Sequence, residues 1–225
     1  MLKAIKTICL PMLFHMGSVN CYLLETGSGY LLIDSGSSNQ RRELEGELAG
    51  AGCRPGDLKL ILITHGDFDH TGNAAYLRES FGAKITMHRD DIGMAEQGDM
   101  FFNRKQPNAI LRKLAPLLIG FGKAQRFTPD VLLDDGDDLS PYGFAAHALS
   151  IPGHSKGSLG ILTAAGDLFC GDLLVNQEKP ALNTLIDDMP AAQASLQRLR
   201  SLEVGTVYPG HGKPFPFNAI VDPAA

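Results

Sequence analysis

The segment Leu60–Gly72, Leu-Ile-Leu-Ile-Thr-His-Gly-Asp-Phe-Asp-His-Thr-Gly, constrains this chain more than any other, because an apolar run is followed at once by four side chains able to ligate metals. As a packed core, His65, Asp67, Asp69 and His70 would repel one another or stay unsatisfied. Imidazole nitrogens and carboxylate oxygens converging on a divalent cation instead satisfy one another's charge and lone pairs. Leu60–Ile63 reads as a buried strand. The cluster is therefore expected on the loop at its carboxyl end, where α/β sheets place their chemistry.

Three more candidate ligands follow, each at a strand end beside Gly or a turn: His154 in Ile151-Pro-Gly-His-Ser-Lys-Gly-Ser158, Asp172 in Leu168-Phe-Cys-Gly-Asp172, and His211 in Val207-Tyr-Pro-Gly-His-Gly212. In order and setting the set resembles the metallo-β-lactamase superfamily, whose pattern is H-x-H-x-D-H, then a distant His, an Asp and a last His. Asn20-Cys-Tyr-Leu-Leu-Glu25 and Leu31-Leu-Ile-Asp-Ser-Gly36 are similar to that family's opening strands, so the resemblance spans most of the chain. It implies a four-layer αββα sandwich of mixed α/β class. It further implies His65, Asp67 and His154 on one metal, Asp69, His70 and His211 on a second, and Asp172 bridging both.

One residue departs from the pattern. Asp67 stands where the family has its second His. Exchanging a neutral nitrogen for an anionic oxygen hardens that site, which moves preference from zinc toward manganese or iron. Two divalent ions are expected, zinc first, with manganese or iron as alternatives.

Alternating elements place this scaffold on the chain. Strands are predicted at Ala4–Leu10, Val19–Thr26 and Tyr30–Asp34 with a hairpin turn at Gly27–Gly29. A helix follows over Asn39–Ala51 with Ser38 as N-cap, then the strand Leu58–Ile63, a helix near Asn73–Phe81 and a strand at Lys84–Met87. Further strands are predicted near Val131, Ala145–Ile151, Gly160–Thr163, Leu168–Cys170 and Thr206–Tyr208, with a helix starting at Pro190. In each half a strand ending in Asp (Asp34, Asp172) precedes a helix and a strand delivering His (His65, His211), which predicts two similar halves. Asp34 reads as structural, holding the motif loop.

At 225 residues, with 44% hydrophobic and 20% charged residues, the chain suits one globular domain over 1–225. A net charge of −5 argues against nucleic acid as a partner. Cys9, Cys21, Cys53 and Cys170 lie far apart and read as core thiols. Pro11 interrupts the N-terminal apolar stretch, so a signal peptide is not expected. With no apolar stretch near the roughly 18 residues of a span, neither is a membrane partner, and the cytoplasm is the expected location.

The segment 96–127 falls outside the repeating pattern. It carries Arg104, Lys105, Arg112, Lys113, Lys123 and Arg126 against Glu96 and Asp99, a local charge of +4, with apolar patches including Met100-Phe-Phe102. It reads either as a helical lid contacting a small anionic or acyl substrate or as a hairpin packed on the sandwich. Phe101, Phe102, Lys156 and Tyr208 are the candidate substrate contacts. His15, His88 and His147 lack partner spacing and stay outside the site.

The chemistry such a set implies is hydrolysis. Two cations sharing a water lower its pKa from about 15.7 to near 7, and a metal-bound hydroxide then attacks a thioester, ester or lactone carbonyl. Asp69 is the candidate catalytic carboxylate that holds the nucleophile and shuttles its proton. The resemblance is closest to the glyoxalase II-like branch, whose members usually carry a C-terminal helical domain for glutathione. Two alternatives stay open on the same fold: an iron-dependent oxidoreductase, since H-x-D-x-D-H resembles the H-x-E-x-D-H of flavodiiron proteins, and a β-lactamase.

Overall fold

Alternation along the strands decides which side chains face which layer. In the computed structural model, which describes residues 2–12, 17–104 and 122–220, the first sheet has the order β1 (Ala4–Pro11), β2 (Ser18–Thr26), β3 (Gly29–Ile33), β4 (Leu58–Leu62), β5 (Lys84–Met87) and β6 (Val131–Leu132). Its first three strands pair antiparallel and the others parallel. The second sheet has the order β13 (Phe215–Pro216), β12 (Thr206–Pro209), β9 (Asp167–Gly171), β8 (Leu159–Thr163) and β7 (Ala146–Ser150). A ribbon of β10 (Leu174–Val175) and β11 (Ala181–Leu182) stands apart.

Neighbouring residues point to opposite faces. Leu23, Leu32, Ile61 and Ile63 pack outward against Leu44 and Leu48 of α1 (Arg41–Gly50) and Leu77 and Phe81 of α3 (Ala74–Phe81). Tyr22, Leu24, Leu31, Ile33, Leu60 and Leu62 point inward to meet Ala146, Ala148, Leu159, Ile161 and Phe169 of the second sheet. On that sheet's far face, Leu168, Cys170 and Val207 bury Ala192, Leu196 and Leu199 of α5 (Met189–Arg200), which comes after the short α4 (Ile92–Gln97) in the chain. Helix, sheet, sheet and helix thus stack as the four layers that the family resemblance implies.

The two halves match. β3, α1 and β4 form a parallel unit, and β9, α5 and β12 form another. Pro190 lies in the first turn of α5, and Asp188 caps it by accepting from the Ala191 N–H at 3.1 Å.

Three expectations shift. The turn before α1 begins as a 3-10 segment at Ser38–Gln40, with Ser37 rather than Ser38 at the cap, its N–H donating to Gln40 Oε1 at 3.1 Å. Asp69 and His70 lie not on an open loop but on the single-turn helix α2 (Phe68–Thr71), because the Asp67 carbonyl accepts from the N–H groups of both His70 and Thr71 at 3.0 Å. Cys21, Cys53 and Cys170 are buried free thiols, whereas Cys9 is exposed, because its position on β1 faces outward. Among the described residues no helix is long and apolar enough to cross a membrane.

Phe169 is fully buried between the sheets, stacked on Tyr208 at 4.8 Å and edge-on to Tyr22 at 5.2 Å between ring centroids. Phe169→Ala should cost about 3–5 kcal/mol of stability in urea unfolding. A loss below about 1 kcal/mol would mean that the inter-sheet core refills the void.

Candidate metal centre

Strand ends of both sheets meet at one edge of the sandwich, and each brings a polar side chain. Asp34 follows β3, His65 follows β4, Asp172 follows β9 and His211 follows β12, while α2 adds Asp69 and His70, and the turn after β7 adds His154. Two groups result: buried His65, His154 and Asp172, and Asp69, His70 and His211, each with ligand atoms within 4.8 Å of one another. Asp172 also joins the second group, with Oδ1 3.4 Å from His70 Nε2 and Oδ2 3.2 Å from His211 Nε2. Asp67 Oδ2 lies 3.4 Å from His65 Nε2 and 3.0 Å from His154 Nε2. Six of the seven residues singled out in the sequence therefore fall into two groups. Asp67 stands beside the first, its carboxylate paired with Arg104.

Each imidazole is held from behind. Nδ1 of His70 meets Asp34 Oδ2 at 2.8 Å, that of His154 meets the Leu185 carbonyl at 2.6 Å, that of His211 meets the Ser18 carbonyl at 2.7 Å, and that of His65 meets Thr64 Oγ1 at 3.0 Å. Acceptors on three of the four rings call for Nδ1–H. Thr64 gives its own proton to Asp34 Oδ2, so it too accepts. The network assigns the lone pair of all four rings to Nε2, the arrangement of metal-ligating histidines.

Divalent cations fit the donor set. His65 Nε2, His70 Nε2 and Asp172 Oδ1 are buried with no hydrogen-bond partner, a costly state for polar atoms unless a cation completes them. Four buried carboxylates, Asp34, Asp67, Asp69 and Asp172, gather here, and of these Asp67 alone meets a guanidinium among the described residues. The titrations express the same demand for positive charge. Burial opposes protonation of His70, yet Asp34, Asp172 and Asp69 push it up to about 9. Burial likewise opposes protonation of His211, but Asp172 and Asp69 push it up to about 11. Against its own burial, Asp172 is held below the usual carboxylate range by His211 and His70. His65 shifts down because it is buried beside His70.

Backbone shape makes room for this crowding. Asp34 takes φ 58°, a left-handed conformation that costs a non-glycine residue about 1–3 kcal/mol. A Cβ at Gly210 would lie 2.7 Å from His70 Cε1 and collide with Asp172 Oδ1.

Several participants carry no sequence signal of their own. Asn20 ties the first sheet to the His211 loop, its Nδ2 donating to the carbonyls of Pro209 at 3.0 Å and Gly212 at 2.7 Å. Fully buried Asp91 joins two ligand loops, accepting from Gly66 N–H at 3.1 Å, Ser155 Oγ–H at 2.6 Å and Gly157 N–H at 2.9 Å. Buried carboxylates with several donors look like any other Asp in sequence.

The substrate candidates divide. Lys156 is exposed and lines a cavity of about 580 Å³ together with Arg104, Asn103, Ser155 and Asp188. Tyr208 is not in the site. Its ring packs in the inter-sheet core against Phe169 and Tyr22, and Asp167, at the opposite end of β9 from Asp172, helps burial to raise the pKa of its hydroxyl. Phe102 lies against Gly93 and Phe101 is half-buried, both ahead of Arg104. Residues 105–121, and with them most of the expected lid, and His15 lie outside the described residues. His147 is exposed on β7, and His88 accepts from the Asp90 N–H.

The sequence profile of the Metallo-beta-lactamase superfamily matches residues 16–211. The chain belongs to that superfamily. It is 30% identical over 199 residues to the human metallo-beta-lactamase domain-containing protein 1, covering 88% of this chain and 64% of the relative. To the atrochrysone carboxyl ACP thioesterase of Aspergillus fumigatus it is 27% identical, over 90% of this chain and 53% of the relative. The chain thus spans between about half and two thirds of these relatives. A protein whose crystal structure holds it in a di-iron-bound form is similar at 30% identity and a TM-score of 0.69, over 93% of this chain and 96% of that one.

Two outcomes are expected. Asp34→Asn should weaken metal retention about 10–100-fold in competition with a chelating dye, because one amide oxygen cannot serve the Thr64 N–H, the Thr64 hydroxyl and His70 Nδ1–H that two carboxylate oxygens accept; unchanged retention would show that His70 orients itself. Without a cation the surrounding carboxylates favour a second proton, at Nε2, on His70 and His211, so metal loading must displace protons, and affinity should fall as pH drops from about 8 to about 6. Calorimetry in two buffers of different ionisation enthalpy reads the released protons directly.

Proposed function

We propose that this chain is a dinuclear metal-dependent hydrolase acting on a thioester, ester or lactone of a small acyl substrate. The observation that carries the proposal is the set of four histidines presenting Nε2 into one pocket, each with Nδ1 engaged from behind, around a shared Asp172. His65, His154 and Asp172, with Asp67 beside them, would hold one cation, and Asp69, His70 and His211 with Asp172 the other. Cations held there would supply polarisation of a carbonyl and a water made nucleophilic near neutral pH. Family membership and the thioesterase among the relatives support this reading.

The chain's own groups supply the rest. Asp69, buried with Oδ2 3.5 Å from His211 Nε2 and 3.9 Å from His70 Nε2, is the carboxylate to which we assign taking and returning a proton. Thiolate and lactone alkoxide leaving groups need little additional acid, which suits a site where the other carboxylates are engaged by histidines or by Arg104. Lys156, at the cavity wall, offers a cation to the acyl portion of a substrate. Zinc is the first choice of metal. Iron is the alternative that the oxygen donor Asp67 and the di-iron relative favour.

Chromogenic thioesters, esters and lactones, assayed with and without chelator, test the proposal. Turnover should vanish on chelation and return with added metal, and Asp69→Asn should lower kcat about 10²–10⁴-fold with little change in KM. Turnover indifferent to chelation would overturn the metal-dependent reading.

A further inference from the structure

Asp67 replaces a neutral imidazole with an anion, and in a buried pocket that exchange needs a counter-charge. Arg104 supplies it. Its Nη1 lies 3.0 Å from Asp67 Oδ1 and 3.1 Å from Oδ2, with only 11% and 8% of the two side chains exposed. We propose that Asp67 and Arg104 act as one unit in place of the family's second histidine, with Arg104 the positioning residue that fixes the carboxylate beside His65 and His154 and returns the site to the charge of an imidazole. Carboxylate plus guanidinium is neutral, as the ring is.

The geometry gives the pair a reason to exist as a pair. Arg104 arrives from the segment preceding residue 105, which is pinned to the chain behind the ligand loop: Asn103 Nδ2 donates to the Asp90 carbonyl, and the Phe102 ring lies where any side chain at Gly93 would stand. The guanidinium is thus delivered to Asp67 by a structured approach. Its Nε and Nη2 are buried without hydrogen-bond partners among the described residues, and Asp67 is the carboxylate that meets its charge there. Removing Asp67 leaves the guanidinium as a buried ion with no opposite charge at contact distance among the described residues, and removing Arg104 leaves the carboxylate with the ring nitrogens of His65 and His154 alone, whereas removing both leaves neither ion.

A cycle of Asp67→His and Arg104→Met, read by thermal unfolding and by metal retained after dialysis, tests this without reference to any substrate. Asp67→His alone restores the family pattern yet should lower Tm by about 10 °C and reduce retained metal at least tenfold, because an unpaired guanidinium faces the ring. Arg104→Met alone should lower the Tm of chelator-treated protein. The double variant should recover both Tm and metal. Additive losses in the double variant, an Asp67→His protein equal to the parent, or an unchanged Tm for Arg104→Met would each overturn the proposal. Should Asp67→His fail to fold, Asp67→Asn keeps the shape of the side chain and must show the same rescue by Arg104→Met.

Discussion

Asp34 joins the first sheet to the ligand loop, and the geometry of the centre follows from that joint. Its backbone N–H donates to the Leu62 carbonyl, one oxygen accepts the Thr64 N–H, and the other accepts both the Thr64 hydroxyl and His70 Nδ1, all at 2.8–2.9 Å. Next to it, Ser35 donates through its N–H and its hydroxyl to the His70 carbonyl. Four hydrogen bonds to charged or buried groups outweigh the strain of one left-handed residue. Asp172 occupies the equivalent strand end in the second half. There the same side chain turns to His70 and His211 instead, so equivalent positions in the two halves perform two different tasks.

The strands that build the layers were legible because their burial is binary. Leu31-Leu-Ile33 and Leu60-Ile-Leu-Ile63 are buried on both faces, and apolar runs this short suit a central strand better than a helix. The ligand residues were legible for a different reason: buried His and Asp close together in sequence have few structural uses. What stayed hidden depends on long-range approach. The strands β10, β11 and β13 have two residues each, too short for any period to register. Tyr208 illustrates the reverse error. Three residues from His211, it was a fair substrate candidate, but strand alternation turns its ring between the sheets, and proximity along a strand says nothing about which face a side chain takes.

Arg104 is the residue that sequence reading came nearest to assigning. It was visible as one cation among six in the segment 96–127, and only the fold shows that it ends beside Asp67, 37 positions away. Local charge therefore located the segment without distinguishing a solvated face from a buried partner. Among the described residues, Asp91 and Asn20 raise the same difficulty, since each acts through backbone groups that belong to other loops.

Asn20 has a consequence for the sandwich as a whole. Apolar surfaces attract without direction, and the inter-sheet core of Leu, Ile and Phe would tolerate one sheet sliding over the other. Asn20 and Tyr22 on β2 grip the carbonyls of Pro209, Gly210 and Gly212 across the two sheets, and the Leu159 N–H reaches the Thr64 carbonyl at 2.8 Å. A slip of one residue, about 3.3 Å along a strand, would break every one of these bonds. The grease between the sheets holds them together, but a handful of polar rivets at one edge selects their single alignment.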